Sequence, residues 1–492
     1  MSLSVNELTK EMGEKDKELI EKAYKFSLCV HEGQKRMNGD PFFTHSFETA
    51  KNLVSLGMDA STIAAGLLHD VLEDTKATEE EIKKEFGPEI LFLVNGATNL
   101  SKLKYSGHER YVESLRKFFF ALAHDLRVVI IKFADRLHNL QTLKDLPEAK
   151  KRRIAIESIE VYAPLANRLG MGKLKGELED LAFPFAYPKE HAQIDNILRD
   201  KKDVHEKYLE NISKKLREEL EKNKIKVVQI DSRVKRKYSL WKKLVKFKMN
   251  LEDIEKIYDM VALRVVVESV EDCYRVLGII HSVWNPLPGI IKDYISLPKP
   301  NGYQSIHTTV FTGSGETAEI QIRTREMHRE ASYGVASYFS YKEQYENKHK
   351  NNANNKLKFK WLEELKGLNY SFNESKKFIE HLKTDFFSDR IFIFTPEGDI
   401  VDLPEDSSAL DFAYSIHSDI GNHISGVKIN GKLSPIFSKL HNRDIVEIVT
   451  RSDAHPSSKW LEYTKTTLAK KHINSYLEKN SLLNKLKSLG KS

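Results

Sequence analysis

The sequence predicts a multidomain protein in which an all-α domain is followed by an α/β domain and then by a small β-rich module. At 492 residues the chain is too long for one hydrophobic core, and its length favours about three domains. Apolar residues recur at helical spacing through the first 190 positions, whereas β-branched runs begin only after residue 226. This change of period indicates separate domains of different fold class.

The predicted boundaries follow the order of these patterns. They are 1–190 for the all-α domain, 191–225 for a charged helical connector, 226–342 for a mixed sheet with flanking helices, 343–385 for a linker, 386–450 for the β-rich module and 451–492 for a basic tail. Strands are predicted at 261–267, 306–311 and 319–323, and in the last module at 391–395 and 444–449. The linker begins with a polar stretch that is rich in Asn and Lys.

Composition narrows the class of protein. Hydrophobic content of 40% and charged content of 30% are typical of a globular chain, and the sequence has no apolar run long enough for a membrane span. The N-terminal residues lack the basic and apolar segments of a secretory signal. The two cysteines, Cys29 and Cys273, do not make a disulfide framework. We therefore expect a cytoplasmic protein.

The net charge of +7 is concentrated in the C-terminal segment. Residues 451–492 hold nine Lys or Arg and three Asp or Glu, so the remainder of the chain is nearly balanced. A local exception is 222–248, with eleven basic residues and one acid, Asp231. A solvated basic face and a binding surface for phosphates are both consistent with that stretch.

Two histidines and two aspartates, far apart in the chain, are the strongest functional signal: His45, the adjacent His69 and Asp70, and Asp135. Each lies in a largely apolar stretch with helical periodicity, so a helical bundle could present all of them at one point. Mixed nitrogen and oxygen ligands suit manganese, iron or zinc better than calcium. The lack of cysteine in the set argues against a closed structural zinc site.

Glu73 and Asp74 follow the His-Asp pair within 61–75, which the pattern predicts as one helix opened by capping residues. Residues three or four apart share one side of a helix, so these acids are expected beside His69 and Asp70. A histidine on an apolar helix face can instead have a purely structural role, as a buried side chain that is hydrogen-bonded within the core. Several ionisable groups on one buried face favour the metal site, because burying them without a cation or mutual pairing is costly.

A second candidate site lies in the α/β part. Asp259 precedes one predicted strand and Glu319 lies on another, and two such carboxylates can hold Mg²⁺ against phosphates. Upstream basic residues that could neutralise a polyphosphate are Arg233, Lys235 and Lys243. Tyr303 lies in a turn between strands, where its ring could stack on a purine. Taken alone, these residues also fit ordinary surface side chains.

The sequence motifs around these residues resemble those of a known protein family. The sequences GLLHDVLEDT at 66–75, ADRLHN at 134–139 and YAPLANRLG at 162–170 surround the His-Asp set, which looks like that of HD-type phosphohydrolases. Together they resemble the RelA/SpoT family of guanosine tetraphosphate hydrolase/synthetases. SRVK at 232–235, NGYQSIH at 301–307 and EIQIRT at 319–324 are similar to that family's synthetase domain. Residues 387–450 resemble its TGS domain, so the resemblance implies an HD-type bundle, a synthetase domain and a TGS-like β-grasp module.

The resemblance implies a bifunctional enzyme of the stringent response. It would transfer pyrophosphate from ATP to the 3′-hydroxyl of GDP or GTP to make (p)ppGpp, and would hydrolyse (p)ppGpp to GDP or GTP and pyrophosphate. Two active sites in one chain would waste ATP if they worked together. We therefore expect reciprocal switching, with the helices of 150–225 as the coupling element.

Site residues are carried over position by position. For the hydrolase, the resemblance implies Mn²⁺ on His45, His69, Asp70 and Asp135, an acid/base pair of Glu73 and Asp74, and substrate contacts from Arg36, Asn139 and Thr142. For the synthetase, it implies Mg²⁺ on Asp259 and Glu319, ATP contacts from Arg233, Lys235 and Lys243, and guanine-nucleotide contacts from Lys292, Lys299, Asn301, Tyr303 and His307. Glu319 is also the candidate base.

One position departs from the family pattern. Bifunctional members usually carry Arg-x-Lys-Asp before the tyrosine turn, and this chain has Ile290 where the arginine is expected. Lys292 and Asp293 of the motif are retained. The substitution leaves the choice between GDP and GTP as acceptor open.

Two other functions predict different features of the sequence. The first is a metal phosphohydrolase fused to a nucleotidyltransferase that extends RNA ends, which would show a Gly-Ser pair followed by an Asp-x-Asp motif. In this sequence no Asp-x-Asp motif follows Gly313-Ser314, which argues against that function. A family member with one silent site could act mainly as a hydrolase or as a regulator that binds the ribosome or tRNA. The TGS-like module, which contains His417 and His423, and the basic tail would supply those contacts.

Overall fold

The computed structural model describes residues 3–10, 12–101, 125–200, 202–250, 260–299, 301–313, 316–339 and 390–489. These residues fall into two compact units, one ending at residue 339 and the other beginning at residue 390. Among the described helices, none is both long and apolar enough to cross a membrane. The predicted linker and Asp259 lie outside the described residues.

Helices form the N-terminal part of the first unit, which confirms the predicted all-α fold. They are α1 (Asn6–Thr9), α2 (Glu14–Val30), α3 (Phe43–Ser55), α4 (Ala60–Leu68), α5 (Val71–Asp74), α6 (Glu79–Ser101), α7 (Leu126–Gln141), α8 (Glu148–Glu157), α9 (Ala163–Arg168), α10 (Gly172–Ala186), α11 (Pro188–Asp200) and α12 (Lys202–Lys222). A π-helical turn, Ser158–Tyr162, connects α8 to α9.

The segment 61–75 is not the single helix that its pattern predicts. Helix α4 ends at Leu68, and His69 and Asp70 form a turn before α5. The Nδ1–H of His69 donates to the carbonyl of Gly66 at 2.8 Å, and the hydroxyl of Thr98 is shared between the carbonyls of Val94 at 2.9 Å and His69 at 3.2 Å. The prediction of one helix is wrong because these side-chain bonds, one of them from another helix, compete with the helical repeat.

Local capping signals begin and interrupt the helices. The carboxylate of Asp59 accepts a backbone hydrogen bond at 2.8 Å and begins α4. Thr78 and Glu81 form a capping box, with reciprocal backbone-to-side-chain bonds of 2.8 and 3.2 Å. Gly87 has non-helical dihedral angles, φ 86° and ψ 172°, so Glu79–Ser101 consists of two helical segments that meet at a kink there.

A five-stranded mixed sheet forms the rest of the first unit, as predicted. Its strands are β1 (Val227–Val234), β2 (Val261–Val267), β3 (Lys292–Asp293), β4 (Ile306–Gly313) and β5 (Glu316–Thr324), in the order β1-β2-β5-β4-β3. Strands β2 and β5 are parallel, and the other neighbouring pairs are antiparallel. The accompanying helices are α13 (Lys237–Lys246), α14 (Val270–Val283), α15 (Arg325–Tyr333) and α16 (Ala336–Phe339).

Burial explains why the β-branched run 261–267 becomes a central strand. Its side chains pack with Ile320 and Ile322 of β5, and helices α12 and α14 contribute Leu216 and Ile280 to the same core. A strand that is covered on both faces needs apolar residues at almost every position. The core thereby holds the ends of β4 and β5 in place, where the second candidate site lies.

The second unit is small and β-rich, as predicted for the TGS-like module. Its elements are β6 (Arg390–Phe394), β7 (Ile400–Pro404), α17 (Ala409–Ile416), α18 (Ser418–Asn422), β8 (Ile424–Ile429), β9 (Lys432–Ser434), β10 (Val446–Thr450), α19 (Trp460–Tyr463) and α20 (Thr467–Leu489). Part of the predicted basic tail belongs to its core, because Trp460, Ala469 and Ile473 pack with Leu410 and Tyr414.

Candidate active sites

Two helices and one turn bring the four predicted metal ligands to one buried point. His45 lies on α3, His69 and Asp70 occupy the turn between α4 and α5, and Asp135 lies on α7. The two histidines and Asp135 are buried, and the Asp70 side chain is 16% exposed. Helices α3 and α7 pack against each other and against α4, so residues far apart in sequence meet.

The ligand atoms of these residues face one another. His45 Nε2 lies 3.4 Å from Asp70 Oδ2 and 3.3 Å from Asp135 Oδ1. His69 Nε2 lies 3.1 Å from the same Asp70 oxygen. The ligand atoms of His45, His69 and Asp70 are all within 4.8 Å of one another, and Asp135 joins the group through His45. The fold thus brings together the residues that the sequence singles out.

Opposite charges inside this cluster change the pKa values of its members. Burial lowers the pKa of His45, but hydrogen bonds and charges from Asp135 and Asp70 outweigh burial and raise the pKa to about 9. Burial raises the pKa of Asp70, yet the positive charges of His69 and His45 outweigh it and hold that pKa well below its ordinary value. The proton of His45 therefore supplies positive charge that the carboxylates need, and a divalent cation would replace it.

Lys132 fixes the orientation of Asp135. Its ammonium Nζ donates to Asp135 Oδ2 at 2.9 Å, while Oδ1 of the same carboxylate faces His45. Burial raises the pKa of Asp135, but Lys132 and then His45 hold it well below its ordinary value. The carboxylate consequently stays charged, with one oxygen directed at the histidines.

Glu73 and Asp74 lie on α5, directly after the ligand turn, and both are exposed. Their backbone N–H groups donate to the carbonyl of Asp70 at 3.1 and 2.9 Å, which ties the short helix to the ligand turn. Partial desolvation, followed by the negative charge of Asp70, raises the pKa of Asp74. A carboxyl group with a raised pKa is better suited to donate a proton near neutral pH.

Arg36 lies against the C-terminal half of α7. Its Nη2 donates to Asn139 Oδ1 at 3.3 Å, and its Nη1 lies 3.4 Å from His138 Nδ1. The side-chain amide of Asn139 donates to Asp135 Oδ1. Thr142 ends α7, and its hydroxyl donates to the carbonyl of His138 at 3.1 Å. Arg36 and Asn139 therefore border the His-Asp cluster, and Thr142 lies about one turn farther along.

In the sheet, Tyr303, His307 and Glu319 form a hydrogen-bonded row. The Tyr303 hydroxyl lies 2.7 Å from His307 Nε2, and His307 Nδ1 lies 2.9 Å from Glu319 Oε1. Because an ionised carboxylate can only accept, Nδ1 of His307 donates to it and Nε2 accepts from the tyrosine. Burial lowers the pKa of His307, in agreement with a neutral ring. Gln321 donates to the other oxygen of Glu319 at 3.1 Å.

The other predicted guanine-nucleotide contacts surround this row. The Lys299 ammonium lies 5.2 Å from the centre of the Tyr303 ring, and burial and then the charge of Lys292 lower the pKa of Lys299. Asn301 accepts a hydrogen bond from the backbone N–H of Tyr303 at 3.2 Å. Lys292 is exposed on β3, in register with His307 of β4.

The predicted ATP contacts lie on β1 and the helix after it. Arg233, in register with Ala262 of β2, is exposed, and Lys235 and Lys243 are half-buried. Ala262 is also in register with Glu319 of β5, which places β1, β2 and β5 side by side near Glu319. The predicted partner carboxylate Asp259 is among the residues without a described position.

Two arginines that the sequence analysis did not assign lie beside this site. Arg323, 5% exposed, has its guanidinium 5.9 Å from the centre of the Tyr303 ring. Burial, and also the positive charges of Arg264 and Arg233, lower the pKa of Arg323 to about 10. Within the described residues, the Nε atoms of Arg264 and Arg323 have no hydrogen-bond partner. The sequence sign that could have identified them is a charged residue within a predicted, largely apolar strand.

Comparisons with known proteins agree with this arrangement. Family profiles match an HD domain at 23–172, a region found in RelA / SpoT proteins at 232–346 and a TGS domain at 391–450. Over 464 residues the chain is 44% identical to a guanosine-3′,5′-bis(diphosphate) 3′-pyrophosphohydrolase of Aquifex aeolicus, an alignment that covers 94% of this chain and 65% of the relative. The chain belongs to the RelA/SpoT family.

Relatives of both activities occur within the RelA/SpoT family. A GTP pyrophosphokinase of Myxococcus xanthus is 42% identical over 467 residues, which cover 94% of this chain and 61% of that protein. A guanosine-3′,5′-bis(diphosphate) 3′-pyrophosphohydrolase of Haemophilus influenzae is 39% identical over 450 residues, which cover 91% of this chain and 66% of that protein. The chain thus spans less than two thirds of the length of each of these relatives.

The HD domain of this RelA/SpoT family member implies the use of a divalent metal, and the residues fit one. His69 Nδ1 is occupied by the Gly66 carbonyl, while its buried Nε2 has no hydrogen-bond partner within the described residues and faces Asp70. A nitrogen in that position is what a metal ligand requires. The possible metal site therefore comprises at least His45, His69 and Asp70.

His138 and Lys132 were not assigned a role from the sequence. Both are buried, and each lies three residues from Asp135 on α7. That helical spacing was the available sign that they share a face with the aspartate. Their partners on other helices depend on how α3 and α7 pack, which one sequence does not reveal.

Proposed function

We propose that the chain both makes and hydrolyses (p)ppGpp, at two sites in its first compact unit. The observation that carries the proposal is the presence in one chain of the buried His-Asp cluster around His45 and of the Tyr303–His307–Glu319 row. The substrates proposed are ATP with GDP or GTP at the second site, and (p)ppGpp at the first. Both reactions are placed in the cytoplasm, where these nucleotides are available.

At the hydrolase site, the residues that would hold the divalent ion, for which we propose Mn²⁺, are His45, His69, Asp70 and Asp135. When bound, the ion supplies Lewis acidity toward the 3′-pyrophosphate and water. Arg36 and Asn139 lie beside the cluster, where they can donate hydrogen bonds to phosphate oxygens, and Thr142 is a more distant candidate. Among the exposed acids, Asp74 is suited to protonate the leaving 3′-oxygen, and Glu73 is suited to accept the proton of water.

At the synthetase site, the 3′-hydroxyl of GDP or GTP attacks the β-phosphorus of ATP. A bond forms between the 3′-oxygen and that phosphorus, the bond from it to the oxygen of the α-phosphate breaks, and AMP leaves. Glu319 accepts the proton of the hydroxyl, and the hydrogen bonds from His307 and Gln321 orient it for that role. Glu319 and Asp259 would hold Mg²⁺, which would neutralise charge on the phosphates.

Basic and aromatic residues position the two nucleotides in this proposal. Tyr303 stacks on guanine, and Lys292, Lys299, Asn301 and His307 surround that nucleotide. Arg233, Lys235 and Lys243 bind the phosphates of ATP, and the guanidinium groups of the half-buried Arg264 and the buried Arg323 add to the positive potential. Phosphoryl transfer depends mainly on such positioning and charge neutralisation.

Ribosome or tRNA contact is the further proposal for the second unit. His417 is exposed there, and the segment 451–492 carries nine basic residues against three acids. Such a surface would contact phosphates in a salt-dependent manner. Binding of tRNA that persists when both catalytic sites are inactivated would favour a regulatory role.

The test of the proposed function is to measure both reactions on one preparation, with Mg²⁺ and with Mn²⁺. We expect AMP and (p)ppGpp to form from ATP and GDP or GTP, and pyrophosphate to be released from (p)ppGpp when Mn²⁺ is present. A preparation that folds and binds Mn²⁺ but shows neither reaction would contradict the proposal.

A further inference from the structure

The side chain of His138 links the possible metal site to Arg36, a proposed substrate contact. Its buried ring, 4% exposed, lies 5.0 Å from the His45 ring, with an angle of 31° between the two planes. The two Nδ1 atoms are 2.7 Å apart, and Arg36 Nη1 lies 3.4 Å from the same nitrogen of His138. One atom of His138 therefore meets both groups.

The chemistry of Arg36 determines which nitrogen of His138 carries hydrogen. A guanidinium can only donate, so the Nδ1 of His138 that it approaches is an acceptor. The bond between the two rings must then run from Nδ1–H of His45 to Nδ1 of His138. His138 thus fixes a hydrogen on Nδ1 of His45, and Nε2, the atom directed at Asp70 and Asp135, is the nitrogen whose proton a metal ion would displace.

The same contacts close a ring of hydrogen-bonding side chains. Arg36 donates to Asn139, Asn139 donates to Asp135, and Asp135 Oδ1 lies 3.3 Å from His45 Nε2. His138 completes the ring between His45 and Arg36. A substitution of His138 should therefore disturb both His45, a candidate metal ligand, and Arg36, a candidate substrate contact.

We infer that His138 is a positioning residue of the hydrolase site: a neutral acceptor that sets the tautomer of His45 for metal ligation and aims Arg36 at the substrate. The inference rests on the proposed hydrolase function. Metal-ligating histidines usually donate their second ring hydrogen to a carboxylate or a carbonyl. A neutral imidazole in that place adds no third negative charge, so it does not draw Arg36 into an ion pair.

The test compares two substitutions of His138 in the 492-residue chain. His138→Leu removes the acceptor at similar volume, whereas His138→Asn keeps a side-chain oxygen near the position of Nδ1. Asn52→Leu is the matched control, because it removes the hydrogen bond from Asn52 to the Ala134 carbonyl, which joins the same two helices outside the ring. The readouts are the affinity for Mn²⁺, from the electron paramagnetic resonance signal of unbound Mn²⁺, and kcat and KM for (p)ppGpp hydrolysis.

We expect His138→Leu to weaken Mn²⁺ binding by about 10- to 100-fold, the usual effect of removing an outer-shell partner. Its KM for (p)ppGpp should also rise, because Arg36 loses its orientation, while synthesis of (p)ppGpp stays unchanged. His138→Asn should recover most of both losses, and Asn52→Leu should resemble the wild type in both.

Three results would overturn the inference. They are wild-type Mn²⁺ affinity in His138→Leu, equal losses in His138→Leu and His138→Asn, and a loss of the same size in Asn52→Leu. The last two would assign His138 a packing role. If the wild type itself neither binds Mn²⁺ nor hydrolyses (p)ppGpp, the proposed hydrolase function fails instead.

Discussion

Asn301 donates its side-chain amide to the backbone carbonyl of Asn167 at 3.1 Å, which joins the tyrosine loop of the sheet to helix α9 of the helical part. The backbone N–H of Val335 donates to the carbonyl of Leu169 at 3.0 Å beside it. Segments near the two candidate sites are thus hydrogen-bonded to each other within the first unit. Reciprocal switching through 150–225 stays a prediction, and this joint is a place where it can be tested.

Gly334 is the residue that permits this joint. It has a φ of +55°, and a Cβ there would overlap the backbone carbonyl of Leu169. We expect Gly334→Ala to destabilise the first unit by about 2 kcal/mol, because both strain and overlap must be relieved by backbone movement. Thermal unfolding measures the change. Gly278→Ala is the matched control, since a Cβ at Gly278 meets nothing within 4 Å, and equal melting temperatures of the two variants would contradict the prediction.

Asp70→Ala should separate the two activities. Removing a direct ligand should reduce pyrophosphate release from (p)ppGpp by at least about 100-fold, the upper end of the effect of outer-shell changes. Synthesis from ATP and GDP should persist, because the second site uses other residues. Parallel assays of both reactions check this, and an equal loss of both would indicate misfolding.

Metal binding should depend on pH. The pKa of His45 is raised to about 9, so below that pH the metal must displace a proton from the imidazole. With one proton released, the apparent affinity for Mn²⁺ should rise about tenfold per pH unit between about 7 and 9 and level off above. Anaerobic Mn²⁺ titrations at several pH values measure this slope, and an affinity that does not change with pH would refute the competition.

Glu319→Gln should impair synthesis through kcat. Loss of a general base costs about 10²- to 10⁴-fold, whereas the similar shape of glutamine should preserve the packing of His307 and Gln321. Steady-state formation of AMP from ATP and GDP measures the effect. Glu316→Gln, an exposed change at the start of the same strand, is the control. Undiminished synthesis would remove Glu319 from the mechanism.

Short-range patterns predicted much of the fold. The run 261–267 became β2 because a strand between two others in a covered sheet needs apolar side chains throughout. The periodicity at 128–140 likewise gave α7, which carries Asp135. Patterns of this kind report which face is buried, and so they identified residues of both candidate sites.

Contacts between side chains on different helices could not be predicted from the sequence. Helical spacing continues through His69 and Asp70, although the bond from Thr98 of another helix helps to hold them in a turn. The contact between His45 and His138 depends on the packing of α3 against α7, which periodicity alone does not determine. Such contacts decide tautomers and pKa values, so the chemistry of the cluster needed the structure.

The most direct test of the account is a crystal structure of the protein grown with Mn²⁺, with data collected at the manganese absorption edge. We predict one anomalous peak within ligand distance of His45 Nε2, His69 Nε2, Asp70 and Asp135, with Nδ1 of His45 still bonded to His138. A peak elsewhere, or none at this cluster with Mn²⁺ in excess, would contradict it.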